Sequence, residues 1–190
     1  MQGGIHAWKG LVAEGAPESG IAYFSPATKA EELIALAWWL EEGSRKFYSD
    51  LTTVMRDPEA KNLFKDLTMA EEYHQTLLFE LYREVSGLTS ESRFPGSVIA
   101  PEKEGDVMEG GIRVSEALKW SQGKSVAEIL EFSLSSETNS YDLYAKMEHR
   151  MKDHRSAQVF RRLSGEEKQH LERLSGLFQK RIQGPSPTSS

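Results

Sequence analysis

Apolar residues recur every three or four positions over four long segments of the chain, the spacing that gathers them on one face of an α-helix. The first segment carries the stripe Leu33, Ala37, Leu40, Ser44, Tyr48 and Leu51. It opens at Thr28-x-x-Glu31, a capping-box spacing in which two side chains satisfy backbone N–H groups left unpaired by the first turn, and it is predicted to run to about Met55. Asp57 followed by Pro58 predicts the start of the second helix, since aspartate accepts from the orphan N–H groups and proline has none to lose there. Its stripe passes through Phe64, Leu67, Leu78 and Leu81 and stops at Gly87. Ser125-x-x-Glu128, a second capping box, opens the third helix, which carries Leu130, Tyr144 and Met147 to about Lys152. Asp153 caps the fourth, whose stripe of Phe160, Leu163, Leu174 and Leu177 precedes the stop signal Gly184-Pro185.

About forty residues separate the second helix from the third, with room for one short helix near Val114 to Trp120. A hairpin turn needs only a few residues, so this connection is a crossover. The predicted fold class is therefore all-α: two antiparallel helix hairpins joined by a long crossover.

The two hairpins are copies. Sliding the chain by 96 positions places Glu41 on Glu137, Tyr48 on Tyr144, Asp57 on Asp153, Phe64 on Phe160, Glu71 on Glu167, His74 on His170 and Leu78 on Leu174, without a gap. Glu41 and Glu71 each lie 15 residues from the turn at Arg56, and Glu137 and Glu167 each lie 15 from Lys152. At 1.5 Å per residue, that is about 22 Å from the turn on both arms, so each hairpin presents two glutamates at one height. The phase of the stripes points Glu41, Glu71, His74, Glu137, Glu167 and His170 inward.

Composition sharpens the chemistry. Buried carboxylates are costly without compensating positive charge, and no lysine or arginine recurs on these stripes at that height. Two metal ions would supply the charge: two Glu-x-x-His motifs plus one glutamate from each remaining helix make up a dinuclear carboxylate set, suited by its oxygen and imidazole donors to iron or manganese, with zinc also compatible. The 190 residues include no cysteine, which excludes a disulfide framework, a thiolate-held iron centre and a thiol nucleophile within this chain. The charge balance is 23 basic against 29 acidic residues, net −6 with the signs interleaved, so no nucleic-acid partner is expected. The longest apolar stretch, Leu33 to Leu40, falls far short of the roughly 20 residues of a membrane span, and the amino terminus does not read as a secretory signal; a cytoplasmic location is expected.

At these residues the chain resembles the rubrerythrin branch of the ferritin-like superfamily, over about Thr28 to Ile182, on Glu41 with Tyr48, Glu71-x-x-His74, Glu137 with Tyr144, and Glu167-x-x-His170. The resemblance implies a ferritin-like four-helix bundle holding two iron ions. Glu41 and Glu137 would be terminal carboxylates, Glu71 and Glu167 bridging ones and the catalytic core with them, and His74 and His170 one imidazole per metal. It further implies reduction of hydrogen peroxide, with ferroxidase activity using oxygen or peroxide as the alternative, and a homodimer. The chain departs from rubrerythrins in two respects. It lacks the cysteine-held iron that feeds them electrons, so an external donor such as a rubredoxin-type protein is expected. Ser140 also stands where they carry a further glutamate. A non-catalytic metal-binding or redox-sensing module is the remaining alternative.

Gly3-Gly4-Ile5-His6-Ala7-Trp8-Lys9-Gly10 resembles the closing segment of a rhodanese domain, which implies a fusion type without sulfurtransferase activity in this chain. The expected organisation is thus an extension over 1–24, a di-iron domain over 25–184 and a disordered tail over 185–190. Tyr48 and Tyr144 are expected to hydrogen-bond the ligating carboxylates and orient them. Trp38, Trp39 and Trp120 read as packing residues, and His6, His149 and His154 as solvated. The acidic run Glu102 to Asp106 reads as exposed loop, with Glu109 beyond it able to approach the site.

Overall fold

The predicted stripes become the buried faces of four long helices in the computed structural model, which describes residues 29–87, 94–99 and 106–183. These are α1 (Ala30–Val54), α2 (Pro58–Ser86), α4 (Val126–Arg150) and α5 (His154–Gln183), and the short α3 (Val114–Ser121) lies in the crossover. The fold is all-α and ferritin-like in architecture, and among the described residues its strands are the two-residue pair β1 (Val107–Met108) and β2 (Ile112–Arg113) around a single 3₁₀ turn at Glu109–Gly111. The segments read as a rhodanese-like extension and a disordered tail lie outside the described residues.

Local chemistry explains most helix boundaries. Asp57 accepts from the Ala60 N–H at 2.9 Å and Asp153 from the Ser156 N–H at 2.7 Å. Ser125 and Glu128 form the expected reciprocal box, Ser125 N–H donating to Glu128 at 2.9 Å and Glu128 N–H to Ser125 at 3.2 Å. The start of α1 differs from expectation: its cap is Lys29, whose N–H donates to Glu32 at 3.2 Å, one position later than the Thr28-x-x-Glu31 pair, with Thr28 outside the described residues. The third predicted helix closes at Arg150, two residues before Lys152: Met151 takes an extended cap conformation, and Lys152 and Asp153 bend the chain into the next helix.

Within each hairpin the helices pack along their length, α1 on α2 and α4 on α5. Between hairpins, Tyr48 pairs with Glu137 and Tyr144 with Glu41, so α1 and α4 run antiparallel, their indices moving in opposite directions. The Glu59–Lys180, Asp66–Arg173 and Glu84–Arg155 ion pairs show the same for α2 and α5. These pairs are exposed and each contributes little to stability, on the order of 0–1 kcal/mol. The burden falls on two apolar clusters flanking the middle of the bundle, one around Leu36, Leu40, Leu78, Tyr144, Phe160 and Leu163, the other around Tyr48, Phe64, Leu67, Leu130 and Leu174.

The crossover is tied to this core. Trp39 donates from Nε1 to the Ile99 carbonyl at 2.9 Å and Trp38 meets Phe94 edge-on, so both tryptophans pack as expected. Trp120 stacks against Phe132 beneath the Lys124 ammonium. Of the acidic run Glu102 to Asp106 only Asp106 lies among the described residues; its carboxylate accepts from the Ser115 N–H at 3.1 Å and faces Arg113, fastening the start of α3.

Candidate metal centre

Glu41 and Glu137 sit mid-way along α1 and α4, Glu71 and His74 on α2, and Glu167 and His170 on α5, all at most 5 % exposed. Equal distance from the turns sets their common height, and antiparallel pairing of the two hairpins sets them face to face. One donor atom each from Glu41, Glu71, His74 and Glu167 lies within a sphere of mutual separations up to 4.8 Å, and the same holds for Glu71, Glu137 and His170. Glu71 belongs to both groups. All six residues singled out by the repeat are therefore brought together.

The contacts have a near two-fold pattern. His74 Nδ1 lies 3.3 Å from Glu41 Oε2 and 3.1 Å from Glu71 Oε2. His170 Nδ1 lies 3.1 Å from Glu137 Oε2 and 3.2 Å from Glu167 Oε2. Glu167 spans the centre, since its Oε1 is 3.1 Å from His74 Nδ1. The two imidazoles stack with ring centroids 5.4 Å apart. Tyr48 donates to Glu137 and Tyr144 donates to Glu41, each hydroxyl crossing from one hairpin to the other.

Electrostatics shows what this cluster lacks. Burial, reinforced by the Glu71 charge, holds the Glu41 carboxyl well above its ordinary range, and burial with the Glu167 charge does the same to Glu137. Burial would also raise Glu167 and depress both histidines, but the ion pairs win. The His74 charge and a hydrogen bond from His170 hold Glu167 low, and hydrogen bonds to Glu137 and Glu167 push His170 up to about 11. His74 is raised against its own burial by Glu41 and Glu167. Protons are thus retained where cations would serve. Among the described residues no lysine or arginine enters the cluster, and the buried atoms Glu71 Oε2 and Glu167 Oε1 have no hydrogen-bond partner. Orphaned carboxylate oxygens among nitrogen and oxygen donors, without sulfur, fit divalent or trivalent metal ions.

Three further residues reach the site. Glu166 Oε2 faces His74 Nε2 at 3.4 Å, near enough for an ion pair but poorly aligned for a hydrogen bond. Arg162 holds the other Glu166 oxygen at 3.1 Å. The position equivalent to Glu166 in the first repeat is Ala70, so only His74 has such a partner. Glu109, the crossover acid, is 1 % exposed and accepts a hydrogen bond from Ser44, one turn along α1 from Glu41. Its burial could have been suspected from Gly110-Gly111 after it and from the small pair Gly43-Ser44 in an otherwise bulky stripe. Glu166 left no comparable signal, being one residue out of phase with the ligand face. His149 and His154 are exposed, and His6 lies outside the described residues.

A model of the rubrerythrin family matches residues 128–189, which takes in most of α4 and all of α5. A solved hypothetical protein from Pyrococcus furiosus superposes with a TM-score of 0.61 at 23 % identity, covering 87 % of this chain and 95 % of that one, a likeness of fold. No curated protein matches. The rubrerythrin-family match falls on the second hairpin, and the likeness to the solved structure is one of fold.

Proposed function

We propose that this protein is a non-haem di-iron oxidoreductase that reduces hydrogen peroxide with electrons from a separate donor protein. The observation that carries the reading is the meeting of a duplicated Glu and Glu-x-x-His set in one buried cluster that contains no lysine or arginine among the described residues. Glu41 and His74 would hold one ion, Glu137 and His170 the other, with Glu71 and Glu167 shared. Two irons bound there would supply two electrons to the O–O bond, in the balance H₂O₂ + 2 e⁻ + 2 H⁺ → 2 H₂O.

The chain's own residues prepare the site for that chemistry. Tyr144 and Tyr48 hold one oxygen of Glu41 and of Glu137, leaving the second oxygen of each aimed at its histidine. Burial and the Glu137 charge keep the Tyr48 hydroxyl protonated, so it stays a donor. Glu166 orients His74 so that Nδ1 faces the cluster. The flanking apolar clusters exclude bulk water. With no cysteine in the chain, a rubredoxin-type protein is the fitting class of reductant.

Metal analysis of the purified full chain, followed by peroxide consumption with a reduced rubredoxin-type donor, tests the proposal. Two irons per chain and sustained peroxide loss are expected. A single burst per metal load would instead identify a ferroxidase. Stable metal with peroxide loss no faster than buffer would leave a binding or sensing module, and a protein that takes up no metal would overturn the reading entirely.

A further inference from the structure

Among the described residues, Glu109 is the one deeply buried carboxylate near the centre that the duplicated set does not use. The crossover goes to some length to place it. β1 lies directly on α1 at Gly43, where a Cβ would come 2.6 Å from the Val107 carbonyl carbon and 2.9 Å from Met108 Cα, and closer still to the carbonyl oxygen. Only glycine permits that approach. β1 and β2 then pair antiparallel, Val107 with Arg113 and Met108 with Ile112, around a turn that needs positive φ at both Gly110 (77°) and Gly111 (73°). Asp106 and Arg113 close the hairpin from outside, and the Val114 N–H donates to the Asp106 carbonyl at 3.0 Å. The hairpin contacts both α1 and α4, and Glu109 at its turn is fully buried beside Met108.

What receives Glu109 is equally specific. Ser44, 2 % exposed, donates to one of its oxygens, and among the described residues no lysine or arginine pairs with it. Its electrostatic neighbours are Glu71 and Glu167, the two carboxylates shared by both halves of the centre, and Tyr48. The Ser44 hydroxyl and the residue's own backbone N–H are poor compensation for a buried carboxylate within electrostatic reach of two others, and a cation between them would supply what is missing. The repeat confirms that the feature is not general to the bundle: Gly43 corresponds to Asn139, whose side chain would block an equivalent hairpin on α4.

We infer that Glu109 is a seventh protein ligand of the metal centre, delivered by the crossover hairpin over Gly43 and parked on Ser44 when not coordinated. The inference rests on the di-metal reading above. It makes the centre asymmetric, with five carboxylates rather than four and the extra one entering from the crossover. A carboxylate that alternates between a serine and a metal gives the site a means of matching its ligand count to the charge of the bound ions.

Titration of the metal-free full chain with Co(II), read by visible absorption and by competition with a chelator, tests this without reference to turnover. Wild type should bind two Co(II). Glu109→Gln keeps the size and the Ser44 contact but loses the anionic donor; it should weaken one of the two sites by about tenfold or more and strengthen the visible bands as the coordination number falls. Glu109→Asp, which keeps the charge but shortens the reach, should do the same. Wild-type affinity and spectrum in Glu109→Gln would overturn the inference and leave the dinuclear centre standing. Loss in Glu109→Gln with full retention in Glu109→Asp would reduce Glu109 to a neighbouring charge and overturn ligation. A wild-type chain that binds no Co(II) would overturn the di-metal reading and this inference together.

Discussion

Tyr144 on α4 reaches across the bundle to donate its hydroxyl to Glu41 on α1, and the repeat returns the bond from Tyr48 to Glu137. Each tyrosine therefore ties one hairpin to a carboxylate of the other. Tyr144→Phe leaves a buried carboxylate oxygen unpaired, which costs about 1–3 kcal/mol. Chemical denaturation of the metal-free protein should show that loss, and metal affinity should fall on the Glu41 side of the centre.

The cluster sets four buried carboxylates against two imidazoles, and Glu71 belongs to both candidate ion groups. Glu71→Gln removes one buried negative charge while keeping the shape, so it should raise the stability of the chelator-treated protein by about 1–2 kcal/mol. The same substitution should cancel the rise in Tm that metal gives wild type. Thermal melts with and without chelator measure both effects, and a destabilised metal-free variant would contradict them.

Glu166 serves His74 alone, since Ala70 occupies the matching position of the other half. Glu166→Gln is expected to weaken metal binding about 10–100-fold at one site only. A biphasic isotherm replacing a steeper one is the signature; two equally weakened sites would refute the asymmetry.

Gly43→Ala pushes a methyl group into the Val107 backbone. Forced overpacking of this kind costs about 1–3 kcal/mol. Hydrogen exchange should locate the damage in β1, β2 and the adjoining turn of α1, with the α2 and α5 amides keeping their protection.

The α4 capping box has a pH signature. Hydrogen bonds from Ser125 and the Lys124 ammonium pull the exposed Glu128 from its ordinary 4.5 to about 2. A carboxylate held low in the folded state stabilises it above its unfolded value, and that contribution is lost as pH falls from near 4.5 toward 2. Exchange of the first-turn amides of α4 should accelerate across this window, and Glu128→Gln should abolish the dependence.

The helices and most of the site were legible in the chain itself. A helix converts residue number into height and phase, so a gapless repeat at 96 positions, with glutamates 15 residues from each turn, already required six polar side chains at one level of one interior. Asp57, Asp153 and the Ser125–Glu128 box likewise wrote helix starts in local chemistry. The start of α1 was misread by one position because Lys29 caps through its backbone, which no side-chain pattern announces.

Contacts between distant parts of the chain were decided by tertiary structure alone. Antiparallel docking of α1 on α4 chose which tyrosine meets which glutamate, and docking of α2 on α5 brought Glu166 to His74 although its phase points it away from the ligand face. The path of the crossover placed Glu109 on Ser44. Periodicity encodes the faces of a helix but not the route of an irregular connection, whose course is set by a close approach at Gly43 and a turn at Gly110 and Gly111 that take on meaning only when the bundle is assembled.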